Sequence, residues 1–454
     1  MKRYSIIFLA LGSLLNTGLV QGNSEAPLTL DQAVDIAVNN DPWLTGSKYR
    51  EQAITSISIA ASSLPDPIVN IGLANLPTDG FAFDQEPMTQ LKAGISQMFP
   101  RGDSLDIRSK QLQQHAAEHP LMRADRVART RVTVSDIWLE IYRAKRSIDL
   151  IQQDRALFEQ LSDIAKANYA SAYGRVRQQD IVRAKLELTR LQDRLTKLRA
   201  LEERATGKLL EWLIDSKQSS KQFGFDAFTT LDLPESLPKL PSISDNIQRL
   251  VKERNQQVLA LELAEHPYIL SINQRIQASE TGVELAKEKY KPQWGINASY
   301  AFRDDTPQGA SRADFLSVGV SFDLPIFTAN RQDEEVAAAV SQSEAIRTDK
   351  LLALREMISG IQSLFAERER LIERKSLYDD ELLLQMQEQA DASLNAYTND
   401  DGDFAEVVRA RIADLNARID ALDINVDLVK TTIRFNYYFN TTAGISAAQL
   451  GEQK

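Results

Sequence analysis

The chain has 454 residues with 63 acidic against 53 basic side chains, a net charge of −10, so its field repels phosphate backbones and argues against nucleic acid as a partner. At 43% hydrophobic and 26% charged residues it is not a disordered composition, and it is long enough for two or three ordinary domains or one extended architecture. Cysteine is absent, which excludes disulfides and a lipid-modified N-terminal cysteine.

Lys2 and Arg3 precede an apolar run from Ile6 to Leu15, and Val20 and Gly22 supply short residues around a cleavage position. This order predicts a secretory signal peptide over residues 1–22. No later run approaches the roughly 18 apolar residues of a transmembrane helix. An exported chain of this kind is free in the periplasm, secreted, or held in a membrane by strands.

A first unit is expected over residues 23–214. A helix opens at Thr29 or Asp31, with Ala33, Ile36, Ala37 and Trp43 near helical spacing, and its continuation stops before Pro65 and Pro67. The period then changes to two: Val69, Ile71 and Leu73 alternate with Asn70, Gly72 and Ala74, and Leu91, Ala93 and Ile95 alternate with Lys92, Gly94 and Ser96. This predicts a β-hairpin near residues 67–99, its strands about nine to eleven residues long, which is enough to cross a bilayer at a tilt. No proline follows Pro120 until Pro234, and Gly174 is the main interruption, so a helical hairpin is expected over 121–214, turning at "YGRVRQQD". Val127, Val134, Ile137, Ile141 and Ile148 recur at coiled-coil spacings.

Residues 215–245, with Pro234, Pro238 and Pro241, lack helical periodicity and read as a connector lying against the outside of the rods. A second unit follows over 246–440, with a hairpin near 293–324, in which Trp294, Ile296, Ala298, Tyr300 and Phe302 share one face, as do Leu316, Val318, Val320, Phe322 and Leu324. A second helical hairpin over 326–440 turns at "YTNDDGDF", and residues 441–454 form a tail.

The two units are copies. At an offset of 225, residues 42–100 match 267–325 without a gap at twelve positions, including Pro42/Pro267, Arg50/Arg275, Gly94/Gly319 and Pro100/Pro325, where chance gives about three or four. At offset 226, "DIVRAK" from Asp180 meets "EVVRAR" from Glu406. The chain is a tandem duplication. Four strands are too few to close a barrel, and open edges cannot sit in lipid, so membrane-spanning strands of this kind require several chains.

Catalytic patterns are weak. His115-Ala116-Ala117-Glu118-His119 fits a zinc-protease spacing, but Pro120 follows at once, and one further histidine, His266, offers no third ligand context. "RGD" at 101–103 reads as a turn after Pro100, and there is no phosphate-binding glycine loop. No catalytic residue, cofactor or metal site is expected, so energy for any transport must come from a partner.

The "LTLDQAVDIAVNNDP" opening, paired strands closing on proline, the "SFDLPIFTANR" elbow and the turns "YGRVRQQDIVRAKLEL" and "GDFAEVVRARIADL" resemble the outer membrane efflux protein (TolC) family over nearly the whole mature chain. The resemblance implies an α+β membrane protein, a homotrimer in which four strands per chain make a 12-stranded β-barrel, continued through the periplasm by an α-helical coiled-coil barrel. It implies a passive exit duct in the outer membrane of a Gram-negative bacterium, joined to a periplasmic adaptor (membrane fusion) protein and an inner-membrane pump of RND type. By the same resemblance Glu406, with Asp400, Asp401 and Asp403, marks the pore constriction. Asp180, Gly174, Gly402 and Arg409 mark the periplasmic turns, and Pro100 and Pro325 the strand-to-helix elbows. Gly402 and Arg409 depart from the residues some members hold. "LPDPIVNIGLANLP" and "SQMFPRGD" resemble segments of channels serving heavy-metal pumps, which implies metal cations as cargo. The alternative is a structural or adhesive coiled-coil surface protein with a small β membrane anchor.

Overall fold

The computed structural model describes residues 27–170, 178–214, 232–239, 243–399 and 402–440. The expected signal peptide, residues 215–231 and 240–242 of the connector, and the C-terminal tail lie outside the described residues. Thr29 accepts the Gln32 N–H while the Gln32 side chain accepts the Thr29 N–H, a capping box that starts α1 (Leu30–Asn40). The single opening helix expected from the sequence is two: Asp41 is extended, caps α2 (Pro42–Ala61) through the Trp43 N–H, and places Pro42 at the first helical position, where its missing N–H costs nothing. The hairpin β1 (Ile68–Ala74) and β2 (Gln90–Phe99) follows, then α3 (Ser104–Ala170) and α4 (Gln178–Leu213).

The helix α3 corrects the expected start of the first rod. It begins at Ser104, not after Pro120, and runs 67 residues, roughly 100 Å at 1.5 Å per residue. A mid-helix proline removes one hydrogen bond and crowds the preceding turn at about 3 kcal/mol. Here neighbouring helices hold both sides of it: Glu118 pairs with Arg275 at 2.8 Å, His119 meets Ser47 at 3.3 Å, and Arg123, buried, pairs with Glu51 at 2.5 Å. Tertiary contact outweighs local propensity at this position.

The second unit repeats the order. Short helices α5 (Asp245–Lys252) and α6 (Gln256–Leu263) precede α7 (Pro267–Lys287), the hairpin β3 (Trp294–Phe302) and β4 (Phe315–Phe322), and α8 (Gln332–Leu377). A π-helical turn at Tyr378–Leu382 joins α8 to α9 (Leu383–Thr398), and α10 (Phe404–Tyr437) returns. The duplication is visible in the caps: His266 stands 225 residues after Asp41, precedes a first-turn proline in the same way, and caps α7 by accepting the Tyr268 N–H at 3.2 Å.

Three apolar clusters hold the helices. Trp138 centres the first, its indole donating to the Leu28 carbonyl at 3.0 Å and its ring stacked on Tyr142 at 5.6 Å. Val127, Val134 and Ile141 from the predicted stripe are buried there, Ile137 is partly buried against the same cluster, and Ile148 belongs to the next. The described part of the connector packs on the same rod, where the Glu235 carbonyl accepts the Tyr142 hydroxyl at 2.8 Å and the Pro234 carbonyl accepts from Arg146 at 3.0 Å. The second cluster joins α3, α4 and α10 near the two turns, and the third gathers α6, α7 and α8 around Phe435.

His266 is fully buried beside this third cluster, edge-on to Tyr437 at 5.0 Å. Because its Nδ1 accepts from Tyr268, the proton sits on Nε2, which donates to the Tyr437 carbonyl at 3.1 Å. Burial holds its pKa below the ordinary 6.5, reinforced by Arg129 and opposed by Asp125 and the Tyr437 carbonyl. The unfolded chain therefore binds the proton more readily, and stability present above the unfolded value is lost as pH falls below it. The melting temperature of the wild type should drop more steeply from about pH 7 to about pH 5 than that of His266→Asn, which keeps a cap that does not titrate. Parallel curves would remove His266 from the pH response.

Candidate functional site: an inverted sheet and the turns below it

The four strands form one antiparallel sheet in the order β1-β2-β3-β4. The units join where β2 pairs with β3, from Leu91 against Phe302 to Phe99 against Trp294. Register sets every apolar row on one face. Val69, Ile95, Ala298 and Val318 lie side by side, as do Ile71, Ala93, Tyr300 and Leu316, and Phe99, Trp294 and Phe322. The opposite face carries Asn70, Gly94, Ser299 and Ser317 in one row and Ser96, Asn297 and Gly319 in another, which the apolar Ile68 ends at the edge.

Along β3 exposure is the reverse of a water-soluble fold, while both faces of the outer strands β1 and β4 are largely exposed. Ile71 and Leu316 are each 75% exposed and Val318 is 70% exposed, while Ser299 and Ala301 on the polar face are at 8% and 4%. The polar face is crowded where small residues meet: a Cβ at Gly295 would sit 2.7 Å from the Ser321 Oγ, and one at Gly319 2.8 Å from the Asn297 Oδ1. The apolar face is open, and aromatic residues mark both of its ends. Trp294 meets Phe322 at 4.8 Å, and Tyr300 and Phe302 lie six and eight residues on, roughly 20 to 27 Å along the strand. That separation suits a hydrocarbon layer of about 25 Å flanked by aromatic girdles.

Two strands are shorter than expected, β1 at seven residues and β4 at eight. Leu324 falls outside β4 because the chain leaves the ladder at Asp323, whose carboxylate accepts the Gln293 N–H at 2.7 Å. The elbows at Pro100 and Pro325 are tied through this residue. Arg101 forms an ion pair with Asp323 and donates to the Lys291 carbonyl at 2.7 Å, binding the exit of the first hairpin to both ends of the second. Next to it Gly102 adopts φ +44°, and a Cβ there would lie 2.0 Å from the Glu288 carboxylate that accepts the Asp103 N–H. The "RGD" segment is thus a structural turn. Sequence reading found the turn but missed the ion pair, whose only trace is one cation after Pro100 and one anion before Pro325.

At the far end of the rods, Phe404 packs edge-on to Tyr397 at 5.6 Å and anchors the second turn. Asp403 caps α10, accepting the Ala405 N–H at 3.2 Å, and Glu406 in the first helical turn is exposed, placing negative charge where the helix dipole favours it. Gly402 has a backbone reason: a Cβ would come 2.7 Å from the Tyr397 nitrogen. Arg409 is exposed and its guanidinium donates to the Ala405 carbonyl at 3.2 Å. Asp180, at the start of α4, is buried. Ala184 and Ile181 of α4 share a cluster with Phe404, Val407 and Val408, so the two turns lie at one end of the molecule. Gly174, Asp400 and Asp401 lie outside the described residues. His115 and His119 sit mid-way along the first part of α3, with Glu118 committed to Arg275 and His119 to Ser47. Burial lowers the pKa of both histidines. Among the described residues no helix is long and apolar enough to cross a membrane.

No protein-family model matches the chain, and no curated protein matches it. Solved structures do. A membrane protein from Pseudomonas aeruginosa matches with a TM-score of 0.73 at 14% identity, over 91% of this chain and 90% of that one. The outer membrane protein VceC from Vibrio cholerae matches with a TM-score of 0.72 at 12% identity, over 91% and 96%. The CmeC outer membrane channel from Campylobacter jejuni matches with a TM-score of 0.70 at 12% identity, over 98% and 96%. At such identities the likeness is one of fold. Over 91% to 98% of its length, the chain has the fold of these membrane proteins.

Proposed function

We propose that the chain is one protomer of a passive exit duct in the outer membrane of a Gram-negative bacterium, belonging to the TolC family. The inverted sheet carries this reading: an exposed apolar face of bilayer height, a polar face of small residues, and two outer edges without a strand partner among the described residues. In hydrocarbon each unpaired backbone group costs several kcal/mol, so the edges of β1 and β4 must meet other strands. Three copies joined edge to edge give a 12-stranded barrel with the apolar face to lipid. The helical hairpins then continue the lumen into the periplasm, where the turns at Asp180 and Glu406, with Gly174, Gly402 and Arg409, meet a periplasmic adaptor and an inner-membrane pump of RND type. Glu406 and Asp403, with Asp400 and Asp401, line the narrow inner end. A heavy-metal cargo is implied by the sequence resemblance alone, and the fold likeness has no bearing on it.

The assembly is tested first. Purified protein in detergent should be a trimer and appear in negative stain as a long hollow particle; a monodisperse monomer without detergent would sink the barrel, and a solid rod would favour an adhesin. The wall is tested by arginine at facing positions. Val318→Arg, on the apolar face, should oppose insertion by about 2–4 kcal/mol at mid-bilayer depth, while Ser321→Arg on the polar face should be tolerated. Equal loss from both would mean the faces are wrongly assigned. At the inner end, three Glu406 carboxylates held close attract cations. In planar bilayers Glu406→Gln should lower cation selectivity and weaken block by multivalent cations without loss of the trimer, and Glu406→Lys should shift selectivity toward anions. Unchanged selectivity in both variants would return Glu406 to a solvated turn.

A further inference from the structure

We propose that the loop end of the polar face carries a cationic collar, Lys92 and Arg303 beside Phe315, that favours anionic cargo bearing an apolar part and repels multivalent cations. The inference rests on the duct reading for closing this face around a lumen.

Lys92 is the single charged residue in the four strands. It lies in the row Gly72, Lys92, Ala301, Phe315, so its neighbours across the ladder bring no group that could neutralise it. It is exposed, and among the described residues its side chain makes no hydrogen bond or ion pair. Phe315 ends the row about 10 Å away, two strand spacings. It breaks the alternation, being a large apolar side chain on the polar face.

Arg303 explains that exception. Its guanidinium lies 3.9 Å from the centre of the Phe315 ring and donates to the carbonyls of Ala313 at 2.8 Å and Pro87 at 3.2 Å. Among the described residues no carboxylate reaches ion-pair distance of it. The adjacent Asp314 accepts the Arg303 backbone N–H at 2.9 Å and the hydroxyl of Tyr300, a residue of the apolar face. The acid is thereby drawn toward the outer side of the wall while the cation remains on the inner side. Three copies would set six cations and three aromatic rings around one level of the lumen, above a wall of amide, hydroxyl and small side chains. A carboxylate, phosphate or sulfonate is attracted there, a ring or alkyl part can rest on Phe315, and a divalent metal ion is opposed. In the loops beyond the strands Asp79, Asp84, Glu86, Asp304 and Asp305 outnumber Arg312, which donates to the Asp84 and Glu86 carbonyls, so the collar's sign differs from that of the rim outside it.

The absence of native cysteine makes the test direct. Ser317→Cys lies on the polar face two residues from Phe315, and Leu316→Cys beside it on the apolar face. In protein reconstituted in lipid vesicles, each is reacted with an anionic (sulfonatoethyl) and a cationic (trimethylammonioethyl) methanethiosulfonate at about 10 mM ionic strength, where the Debye length is about 30 Å. At Ser317→Cys the anionic-to-cationic rate ratio should fall about three- to tenfold on adding Lys92→Gln. It should fall further with Lys92→Glu, fall also with Arg303→Gln, and converge among these variants in about 1 M salt. A ratio unmoved by all three substitutions overturns the collar. Leu316→Cys should stay protected from both reagents; labelling as fast as Ser317→Cys would overturn the wall assignment, and the duct reading with it.

Discussion

A strand edge cannot face hydrocarbon, because each backbone N–H or C=O left unpaired there costs several kcal/mol with no water to repay it. Among the described residues a single chain supplies four strands and two free edges, with an apolar face that water does not favour. Neither problem has a solution among those residues, and both are solved together if identical copies pair edge to edge. The same sheet fixes the long axis of the molecule. Both hairpins enter and leave at the Pro100 and Pro325 end, so among the described residues the helices lie on that side and the loops at 75–89 and 303–314 on the other. The Arg101 and Asp323 ion pair sits where the direction of the chain changes from sheet to rod. It links the two units at the point where a hinge would otherwise be expected, and bonds to the backbone at Lys291 and Gln293 leave it little freedom.

Duplication gives two hairpins for one folding solution, but the copies have drifted in ways that geometry accounts for. Asp41 and His266 perform the same capping task. Asp41 can also take Arg126 as a partner at 2.8 Å, whereas His266, in a dry pocket, must stay neutral to accept its N–H. The offset between units grows from 225 at the strands to 226 where α4 and α10 begin. Among the described residues the second rod alone contains a π-helical turn, at Tyr378–Leu382, a device that accommodates one extra residue in a helix without breaking it. An inserted residue absorbed in this way leaves the side chains beyond it facing as their counterparts do.

Much of this was legible in the sequence because it rests on periodicity. Alternation placed Val318 and Ser321 on opposite faces, and the heptad-like run from Val127 to Ile148 named core positions that are buried or partly buried. What failed depended on partners distant in sequence. Pro120 reads locally as a stop, and only the pairing of Glu118 with Arg275 and Arg123 with Glu51 shows why the helix continues. Asp180 is buried at the start of α4, which its place in a turn sequence does not announce. The lone charge at Lys92 was visible as a letter, but its meaning needs the register that sets it opposite Gly72 and Ala301. Phe315 and Arg303 could not be paired from sequence, since one belongs to a strand and the other to the loop that precedes it.

A wall that only conducts has no need of charge, and most of this sheet's polar face has none. Charge on such a wall acts over about 8 Å at physiological ionic strength, so a single residue matters only where symmetry gathers its copies or the passage narrows. Both conditions are met at opposite ends under the duct reading: acids converge at the inner turns, and Lys92 with Arg303 gathers at the loop end. Their signs oppose. A small cation drawn in at the first would meet a barrier at the second, and a small anion the reverse, so neither end alone sets what leaves. Solutes that carry both charges, or an anion masked by an apolar body, pass the pair at least cost. Discrimination of that kind needs no binding site and no moving part, only two fixed rings held apart by the strands and the length of α3.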